Sequence, residues 1–285
     1  MSRRNRRTRN YKSQKDKSNQ TNKHGLKRYI SSPTRRAIRK ACYFGCVICG
    51  QLPYTYEHFD PPFKDAKEHD PEGMALLCGN HQIDTTSGRL SKERIAKARA
   101  SPANASRDPS WTQYLDGPIS LRFGGNVITG REQASVRVNE TVLIGFKCKR
   151  DEVLLSGAFC DLDGKATLKF KDNEIVASQM SWDVEFEGTR LTIRAKQSQP
   201  VAIVCFDAES NAITVERLCM RFADGFILDG NSETLFLRFP PNNCFEFSKN
   251  NIPGFDFDFP AVGGWNNWTG AREINESKPA FEIRM

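Results

Sequence analysis

The sequence lacks two features that mark membrane and secreted proteins. It contains no run of apolar residues long enough to span a bilayer, which takes about 20 residues. No apolar segment follows its basic N-terminus, as one does in a secretory signal. Nine cysteines in a chain without such a signal favour a reducing compartment over a disulfide framework. We therefore expect a cytoplasmic protein with no membrane partner.

Apolar side chains are scarce as well, at 38% of the 285 residues, with a mean hydropathy of −0.57. A chain of this length can form about two domains. Residues 1–28 contain almost no large aliphatic side chains. They cannot bury enough apolar surface to offset the entropy lost on ordering. We predict a disordered basic arm over residues 1–28.

Positive charge is concentrated near the N-terminus. Residues 1–40 carry 15 Lys and Arg and one Asp, whereas the rest of the chain carries 27 Lys and Arg and 33 Asp and Glu. The formal net charge of +8 is therefore a property of the N-terminal region. Such a region indicates contact with a phosphate backbone. The alternatives are a solvated tail and a nuclear-localisation-like run at residues 3–7.

Histidine is also scarce: the chain has four, three of them lie between residues 58 and 81, and none follows residue 81. The same region contains two short ligand pairs, Cys46-x-x-Cys49 and Cys78-x-x-His81. One such pair alone is as compatible with a redox pair as with a metal. Two pairs separated by a loop have the spacing of a four-coordinate structural zinc site. We predict that these four residues bind Zn²⁺.

An acid followed by a histidine, Glu57-His58, lies between the two pairs. A basic helix before the first pair and a Pro-containing loop after Glu57-His58 complete an order that resembles the HNH nuclease family over residues 33–100. The resemblance implies a zinc-braced ββα-metal fold, with the two ligand pairs on the structural zinc. It also implies that His58 is the general base and that Glu57 is a ligand of a catalytic divalent ion such as Mg²⁺.

Two positions depart from the pattern of this family. Gly73 stands where the family usually has Asn, and Gln82 stands where it usually has a His that serves the catalytic metal. An amide oxygen can ligate Mg²⁺. Gln82 is therefore predicted as a second ligand beside Glu57, with His69 and Asp84 as substitutes.

Start and stop signals divide residues 29–100, the predicted HNH-like domain, into short elements. The signals are Ser32-Pro33, Gly88 and the cap residue Ser91. They predict helices over 33–42, 79–85 and 92–100, and strands over 51–59 and 74–77.

The first helix carries four basic side chains next to the candidate site, and we predict that they hold the nucleic-acid backbone: Arg35, Arg36, Arg39 and Lys40. Cys42 lies at the end of the same helix, four residues before the first ligand pair. We interpret Cys42 as a buried thiol and not as a ligand.

From residue 118 onward, apolar and polar residues alternate, as in half-buried strands. Turn signals such as Asp163-Gly164 recur between the alternating segments. The pattern predicts an all-β domain over residues 118–240, most simply an antiparallel sandwich, with a one-sheet solenoid as the alternative. Residues 101–117 are rich in Pro, Ser and Asn and are predicted to be a linker.

Residues 241–285 are rich in aromatic residues and are predicted to form an irregular C-terminal segment. Within it, residues 255–259 alternate like an edge strand. The segment holds Trp265 and Trp268, which we expect to cover the core, with base stacking or partner binding as the alternative. Because no histidine follows residue 81, we interpret the β domain as a binding or regulatory module of unknown ligand.

These observations predict an α+β protein in which a small zinc-braced domain precedes an all-β domain. The first hypothesis is a metal-dependent endonuclease that hydrolyses phosphodiester bonds, with DNA as the favoured nucleic acid and the β domain for targeting or regulation. The second hypothesis is a catalytically inactive, zinc-stabilised protein that binds nucleic acid.

Overall fold

The computed structural model describes residues 20–115, 117–138, 141–149, 152–175, 183–197, 199–222, 225–240, 243–252 and 256–259. Contacts divide the chain into two compact units, of which the first ends at Arg107 and the second begins at Asp108. The described residues are mostly strand with few helices, which is compatible with the predicted α+β class. No helix among them is both long and apolar enough to cross a membrane.

The first unit contains the helices and strands that the sequence predicts and two 3-10 turns that it does not. They are α1 (Ser32–Ala41), β1 (Gln51–Leu52), β2 (Tyr54–His58), a 3-10 turn (Pro71–Gly73), β3 (Met74–Cys78), α2 (Gly79–Thr86), α3 (Lys92–Ala100) and a second 3-10 turn (Ala103–Ala105). The predicted strand over 51–59 is divided at Pro53, which has no N–H to donate to a strand ladder.

The caps place the helices within a residue of their predicted starts. The Ser31 hydroxyl accepts from the Thr34 N–H at 3.4 Å, so the cap of α1 is Ser31 and not Ser32. Ser91 caps α3 as predicted, accepting from the Arg94 N–H at 3.2 Å. After α2, the chain turns at Gly88, whose φ of +78° is a conformation that glycine adopts without strain.

An antiparallel hairpin, β2–β3, lies at the centre of the first unit. Tyr54 is opposite Cys78 at one end, and His58 is opposite Met74 at the other. Every residue of β3 is buried. Arg99 of α3 donates to the Met74 carbonyl at 3.1 Å. The hairpin therefore carries a predicted zinc ligand at one end and the predicted base at the other.

The far end of the hairpin explains the glycine at position 73. The backbone N–H groups of Phe59 and Asp60 donate to the Gly73 carbonyl at 3.0 and 3.2 Å. A Cβ atom at position 73 would overlap the Asp60 carbonyl oxygen. The Asn that the HNH family usually has at this position does not fit this backbone.

Residues 20–28 correct the predicted extent of the arm. Thr21 pairs with Lys27, and the Asn22 side-chain amide donates to the carbonyls of Phe63 at 2.5 Å and Ala66 at 2.6 Å. The prediction of disorder is therefore wrong for residues 20–28, because polar side chains and not apolar burial hold this turn. Residues 1–19 lie outside the described residues.

The predicted linker over 101–117 also differs from the structure. Asn104 is buried, and its side-chain amide donates to the Gly50 carbonyl at 3.0 Å. The Ala103 N–H donates to the Val47 carbonyl at 3.0 Å. Residues 101–107 thus pack beside the first ligand pair, and Trp111 lies buried in the second unit.

The second unit is built of strands. Within the described residues they are β4 (Ser110–Trp111), β5 (Ile119–Phe123), β6 (Asn126–Gly130), β7 (Gln133–Val138), β8 (Thr141–Lys149), β9 (Glu152–Cys160), β10 (Ala166–Lys171), β11 (Glu174–Ile175), β12 (Asp183–Glu187), β13 (Arg190–Lys196), β14 (Gln199–Asp207), β15 (Ala212–Arg221), β16 (Ile227–Asn231), β17 (Leu235–Phe239), β18 (Asn243–Glu246), β19 (Asn251–Ile252) and β20 (Asp256–Phe259).

These strands form two sheets. One has the order β4-β11-β10-β9-β8-β7-β20 and the other the order β12-β13-β14-β15-β16-β17-β18, with β5, β6 and β19 attached through β15. The Trp111 ring lies 5.4 Å from the Phe170 ring of the first sheet, and 5.6 and 6.5 Å from the Phe186 and Phe206 rings of the second. The two sheets therefore pack on each other around Trp111, as in a sandwich and unlike a one-sheet solenoid.

Two features of the second unit were not predicted. The pairs β5–β15, β6–β19 and β7–β20 are parallel. Strands β18, β19 and β20 lie beyond the predicted domain boundary at residue 240. The prediction of irregular structure over 241–285 is therefore wrong for the residues of these strands. Among the described strands, β20 lies at the edge of its sheet, as the alternation over 255–259 predicts. Trp265 and Trp268 lie outside the described residues.

Candidate functional site

The four predicted zinc ligands come together in the first unit. The Cys49 and Cys78 sulfurs are 3.6 Å apart, and His81 Nδ1 is 3.4 Å from the Cys46 sulfur and 3.2 Å from that of Cys78. All four ligand atoms lie within 4.8 Å of one another. Bonds of about 2.0–2.3 Å to a tetrahedral zinc place ligand atoms roughly 3.3–3.8 Å apart. The cluster could therefore hold a metal such as zinc, and His81 would bind through Nδ1.

Local structure brings the cluster together from three elements. Cys46 and Cys49 lie in the turn after α1, where the Gly50 N–H donates to the Cys46 carbonyl at 2.7 Å. Cys78 ends β3 and is also the N-cap residue of α2, and His81 lies in the first turn of that helix. The hairpin and the helix are therefore joined at the ligand cluster.

The close approach of the three sulfurs makes the protonation of each thiol depend on the others. A hydrogen bond from Cys49 lowers the pKa of Cys46 to about 4, and the same hydrogen bond raises the pKa of Cys49. Burial raises the pKa of Cys78. Three sulfurs this close share protons unless a divalent cation holds them all as thiolates.

Cys42 is outside this cluster, as predicted. It is fully buried at the end of α1, and burial raises the pKa of its thiol to about 11. Cys42 therefore remains a protonated, apolar-like side chain.

Glu57, the predicted ligand of a catalytic ion, accepts hydrogen bonds at both carboxylate oxygens. The Lys92 ammonium donates to Oε1, and the Gln82 side-chain amide donates to Oε2 at 2.7 Å. Lys92 also donates to the His58 carbonyl at 3.0 Å. Gln82 does lie beside Glu57 as predicted, but it presents its NH₂ group, since its oxygen accepts from the Thr55 hydroxyl at 2.9 Å.

His58, the predicted base, is hydrogen-bonded to another histidine. Its Nε2 is 3.0 Å from His69 Nδ1, and His69 Nε2 is 2.9 Å from the Lys27 carbonyl oxygen. A carbonyl only accepts, so His69 Nε2 carries a proton. When His69 is neutral, its Nδ1 is an acceptor, and His58 Nε2–H is the donor. The network thus assigns His58 the tautomer whose basic nitrogen is Nδ1.

This position of His69 differs from its predicted role. The sequence suggested a surface histidine or a substitute metal ligand, whereas His69 orients His58 and is itself held by Lys27. The other substitute, Asp84, is ion-paired with Arg89 at 2.5 Å. Within the described residues, neither substitute belongs to the group around the Glu57 carboxylate.

His58 is buried beside the Phe63 ring, with ring centroids 5.3 Å apart. Burial is the main reason that its pKa falls from 6.5 to about 4, and repulsion from His69, Lys92 and Arg28 lowers it further, while Glu57 raises it. His58 is therefore neutral near pH 7.

The low pKa of His58 predicts acid sensitivity of the fold. Between about pH 6.5 and pH 4 the unfolded chain binds a proton that the folded chain excludes, so the contribution of neutral His58 is complete above about pH 6.5 and lost as the pH falls through about 4. Over this range we expect the parent to lose up to about 3 kcal/mol more unfolding free energy than His58→Gln, as measured by urea unfolding. The exposed His24→Gln variant should behave like the parent. Equal losses in the parent and His58→Gln would contradict the assignment.

The four basic side chains predicted to contact nucleic acid are not equivalent. Arg39 is only 2% exposed and donates to the Tyr56 hydroxyl at 2.5 Å, so it is not part of a basic surface. The prediction that Arg39 contacts nucleic acid is therefore wrong, because Tyr56 on β2 holds its side chain in the interior. Arg35 and Arg36 are half-buried, and Lys40 is exposed.

Lys92 is the residue at this site that the sequence did not single out. A signal was nonetheless present, because Lys92 is the first residue of α3, where the helix dipole disfavours a cation. A lysine at such a position indicates a specific acidic partner, which here is Glu57.

Comparison with models of known protein families, with curated proteins and with solved structures gave no match. Function is therefore inferred from the residues of this chain and their geometry.

Proposed function

We propose that the first unit is an endonuclease of the HNH type, which hydrolyses phosphodiester bonds of nucleic acid, with DNA as the favoured substrate. The observation that carries the proposal is the position of His58. It is a neutral imidazole, oriented by His69, at the end of a two-stranded hairpin that leads directly into a helix. This strand–strand–helix order, braced by a Cys/His cluster, supports the resemblance to the ββα-metal fold.

The chemistry follows from the tautomer of His58. Its Nδ1 takes a proton from a water molecule, and the water oxygen forms a new bond to phosphorus. The bond from phosphorus to one ester oxygen breaks, and that oxygen leaves as an alkoxide and takes a proton from solvent. The anionic phosphate raises the pKa of the neighbouring imidazole and so makes His58 a stronger base when substrate is present.

The catalytic Mg²⁺ predicted at Glu57 and Gln82 does not fit the arrangement as it stands. Both oxygens of Glu57 accept hydrogen bonds, one of them from an ammonium group, and Gln82 presents an NH₂ group. The zinc cluster, by contrast, has the donor set and spacing for its ion.

Backbone binding is proposed for the basic N-terminal region together with Arg35, Arg36 and Lys40. Contacts of this kind position a substrate without reading its sequence. Targeting or regulation is proposed for the second unit.

Deleting residues 1–19, which carry eight Lys and Arg and one Asp, should weaken DNA binding and flatten its salt dependence. Each lost phosphate contact should reduce the slope of log affinity against log salt by about 0.9, because fewer counterions are released. Fluorescence anisotropy over a salt series measures both quantities. The control is a full-length variant in which the eight Lys and Arg of residues 1–19 are changed to Gln. It removes the charge but not the chain, and it should show the same affinity and salt dependence as the deletion. An unchanged slope in both variants would mean that the arm does not contact phosphate.

A second function is favoured by one specific contact. The pairing of Glu57 with Lys92 is what an inactive, zinc-stabilised nucleic-acid-binding module would have at a former metal site. Such a module would bind DNA with the same salt dependence and leave it intact.

Incubation of zinc-loaded protein with supercoiled plasmid separates the two functions. The endonuclease should nick the plasmid, and parallel reactions with and without added Mg²⁺ or Mn²⁺ show whether a divalent ion is needed. Binding without nicking, in both ions and over a range of concentrations, would overturn the endonuclease and favour the inactive module.

A further inference from the structure

Residues 20–28 bring a cation close to His58. The Arg28 guanidinium lies over the Phe63 ring, with its Cζ 4.5 Å from the ring centroid, and the Phe63 and His58 centroids are 5.3 Å apart. These two distances place the guanidinium carbon at most about 10 Å from the centre of the His58 ring. The pKa of His58 is lowered mainly by burial, and the positive charge of Arg28 adds to that lowering.

Polar contacts and a ring fix the position of Arg28. Its backbone N–H donates to the Gln20 carbonyl at 3.0 Å, which closes the turn of residues 20–28. The Asn22 side-chain amide donates to the Phe63 carbonyl at 2.5 Å. Phe63 thus holds the turn through its backbone and the guanidinium through its ring. A cation held in this way loses less side-chain freedom when it binds an anion.

The charge of Arg28 is not used inside the protein. Arg28 is exposed, and within the described residues no carboxylate forms an ion pair with it. Asp65, in the same loop as Phe63, is instead paired with Lys23 at 2.6 Å. A guanidinium binds phosphate through two parallel N–H···O bonds along its edge, and stacking on a ring occupies only its face. Arg28 therefore has the charge, the exposure and the fixed plane of a phosphate-binding residue.

His58 presents a hydrogen-bond acceptor on the other side of this gap. Its Nε2 is bonded to His69, and no partner of its Nδ1 is found in the part of the chain that the structure describes. With N–H···O bonds of about 2.8 Å, a phosphate bound by a guanidinium has its phosphorus about 4 Å from Cζ. An attacking water lies about 3 Å from phosphorus and about 2.8 Å from the imidazole nitrogen. One phosphate and one water molecule together reach across a gap of up to about 10 Å.

We propose that Arg28 binds a phosphate group beside His58, so that residues 20–28 belong to the candidate site. The phosphate of a nucleic-acid diester and inorganic phosphate share this chemistry, and the diester is the proposed ligand. Phosphate binding stands by itself, whereas the role of this phosphate as the group that is hydrolysed rests on the proposed function. In that reaction Arg28 would stabilise the negative charge that develops on the phosphate oxygens.

The test follows the NMR signals of the His58 side chain in the zinc-loaded full chain at pH 7. The probes are inorganic phosphate and a thymidine dinucleotide that contains one phosphodiester. Anions bound to distant cations do not shift these signals, so the titration reports on this site alone. In the parent, the dinucleotide should shift them in a saturable manner.

Arg28→Gln should bind the dinucleotide at least about tenfold more weakly than the parent, because a hydrogen-bonded charge pair is lost. Arg28→Lys should lie between the two, since it keeps the charge but not the planar fork. Arg94→Gln is the matched control, because Arg94 is an exposed arginine on α3 of the same unit, and it should bind like the parent. Zinc content and melting of each variant report on folding.

Three results would overturn the inference: equal dinucleotide affinity in Arg28→Gln and the parent, an equal loss in Arg94→Gln, or shifts with inorganic phosphate alone. Plasmid nicking by the same proteins separates this failure from failure of the proposed function. Weaker dinucleotide binding by Arg28→Gln, with no nicking by any protein, supports the phosphate site and overturns the endonuclease. Nicking by the parent, with equal dinucleotide affinity in Arg28→Gln, does the reverse.

Discussion

Replacing His58 with alanine is expected to lower the rate of plasmid nicking by about 10²–10⁴, the usual contribution of a positioned general base. His58 is neutral near pH 7 because it is buried. Its Nε2 is bound to His69, which leaves Nδ1 as the basic atom. The variant removes that atom and should retain zinc, because His81 and not His58 belongs to the ligand cluster.

Three measurements on the same preparations make the result decisive: zinc content, melting temperature and initial nicking rate. His24→Ala is the matched control, since it removes an exposed histidine and should nick like the parent. His69→Gln keeps a polar partner for His58, and its effect should be smaller than that of His58→Ala. If His58→Ala nicks as fast as the parent, and a mock purification shows no nicking, His58 is not the base and the inactive module is the better interpretation.

Loss of the metal is expected to unfold the first unit. The cluster joins the turn after α1, the end of β3 and the start of α2, so metal-binding energy is also folding energy. For structural zinc this energy is about 10–16 kcal/mol, which equals or exceeds the total stability of a typical domain, about 5–15 kcal/mol. Cys46→Ser, or prolonged chelation, should therefore abolish the cooperative melting of the first unit.

Cys42→Ser is the control for this experiment. It changes a buried cysteine near the same turn that is not part of the cluster, so the protein should keep its zinc. Elemental analysis gives the metal content, and circular dichroism follows melting. Less than half an equivalent of zinc in protein purified without chelators, or full zinc in Cys46→Ser, would contradict the zinc assignment.

The parts of the first unit that the sequence predicted depend on local chemistry. Ser91 and Gly88 mark helix ends because capping and left-handed turns involve residues only a few positions apart. The ligand pairs were recognisable because two intervening residues direct two side chains to one centre.

The parts that the sequence did not predict depend on residues far apart in the chain. Lys92 pairs with Glu57 across 35 positions, and His69 is held by the Lys27 carbonyl across 42. Arg39 is buried by its contact with Tyr56, although helix periodicity alone leaves a basic residue there free to face solvent. No local signal carries such pairings.

The sheets of the second unit show the same limit. Alternation of apolar residues predicts that β5 and β15 are strands, but it does not specify their order or direction in a sheet. These two strands are parallel neighbours, and Ser120 of one pairs with Ala212 of the other, a residue far away in the sequence. The sequence therefore predicts that the second unit is built of strands, but it does not predict the order and direction of those strands.

The hairpin β2–β3 also separates two kinds of chemistry. Cys78 is opposite Tyr54 at one end and His58 is opposite Met74 at the other, so the backbone positions of Tyr54 and His58 are four residue steps apart, roughly 14 Å at about 3.4 Å per residue. Over that distance an ion in the cluster acts on His58 far more weakly than Lys92 or His69 does. Cobalt or cadmium in place of zinc would thus give the protein an optical reporter of its folding, and the protonation of His58 at the other end should not change. The hairpin keeps the two sites apart, so any activity that depends on His58 should be the same whichever metal fills the cluster.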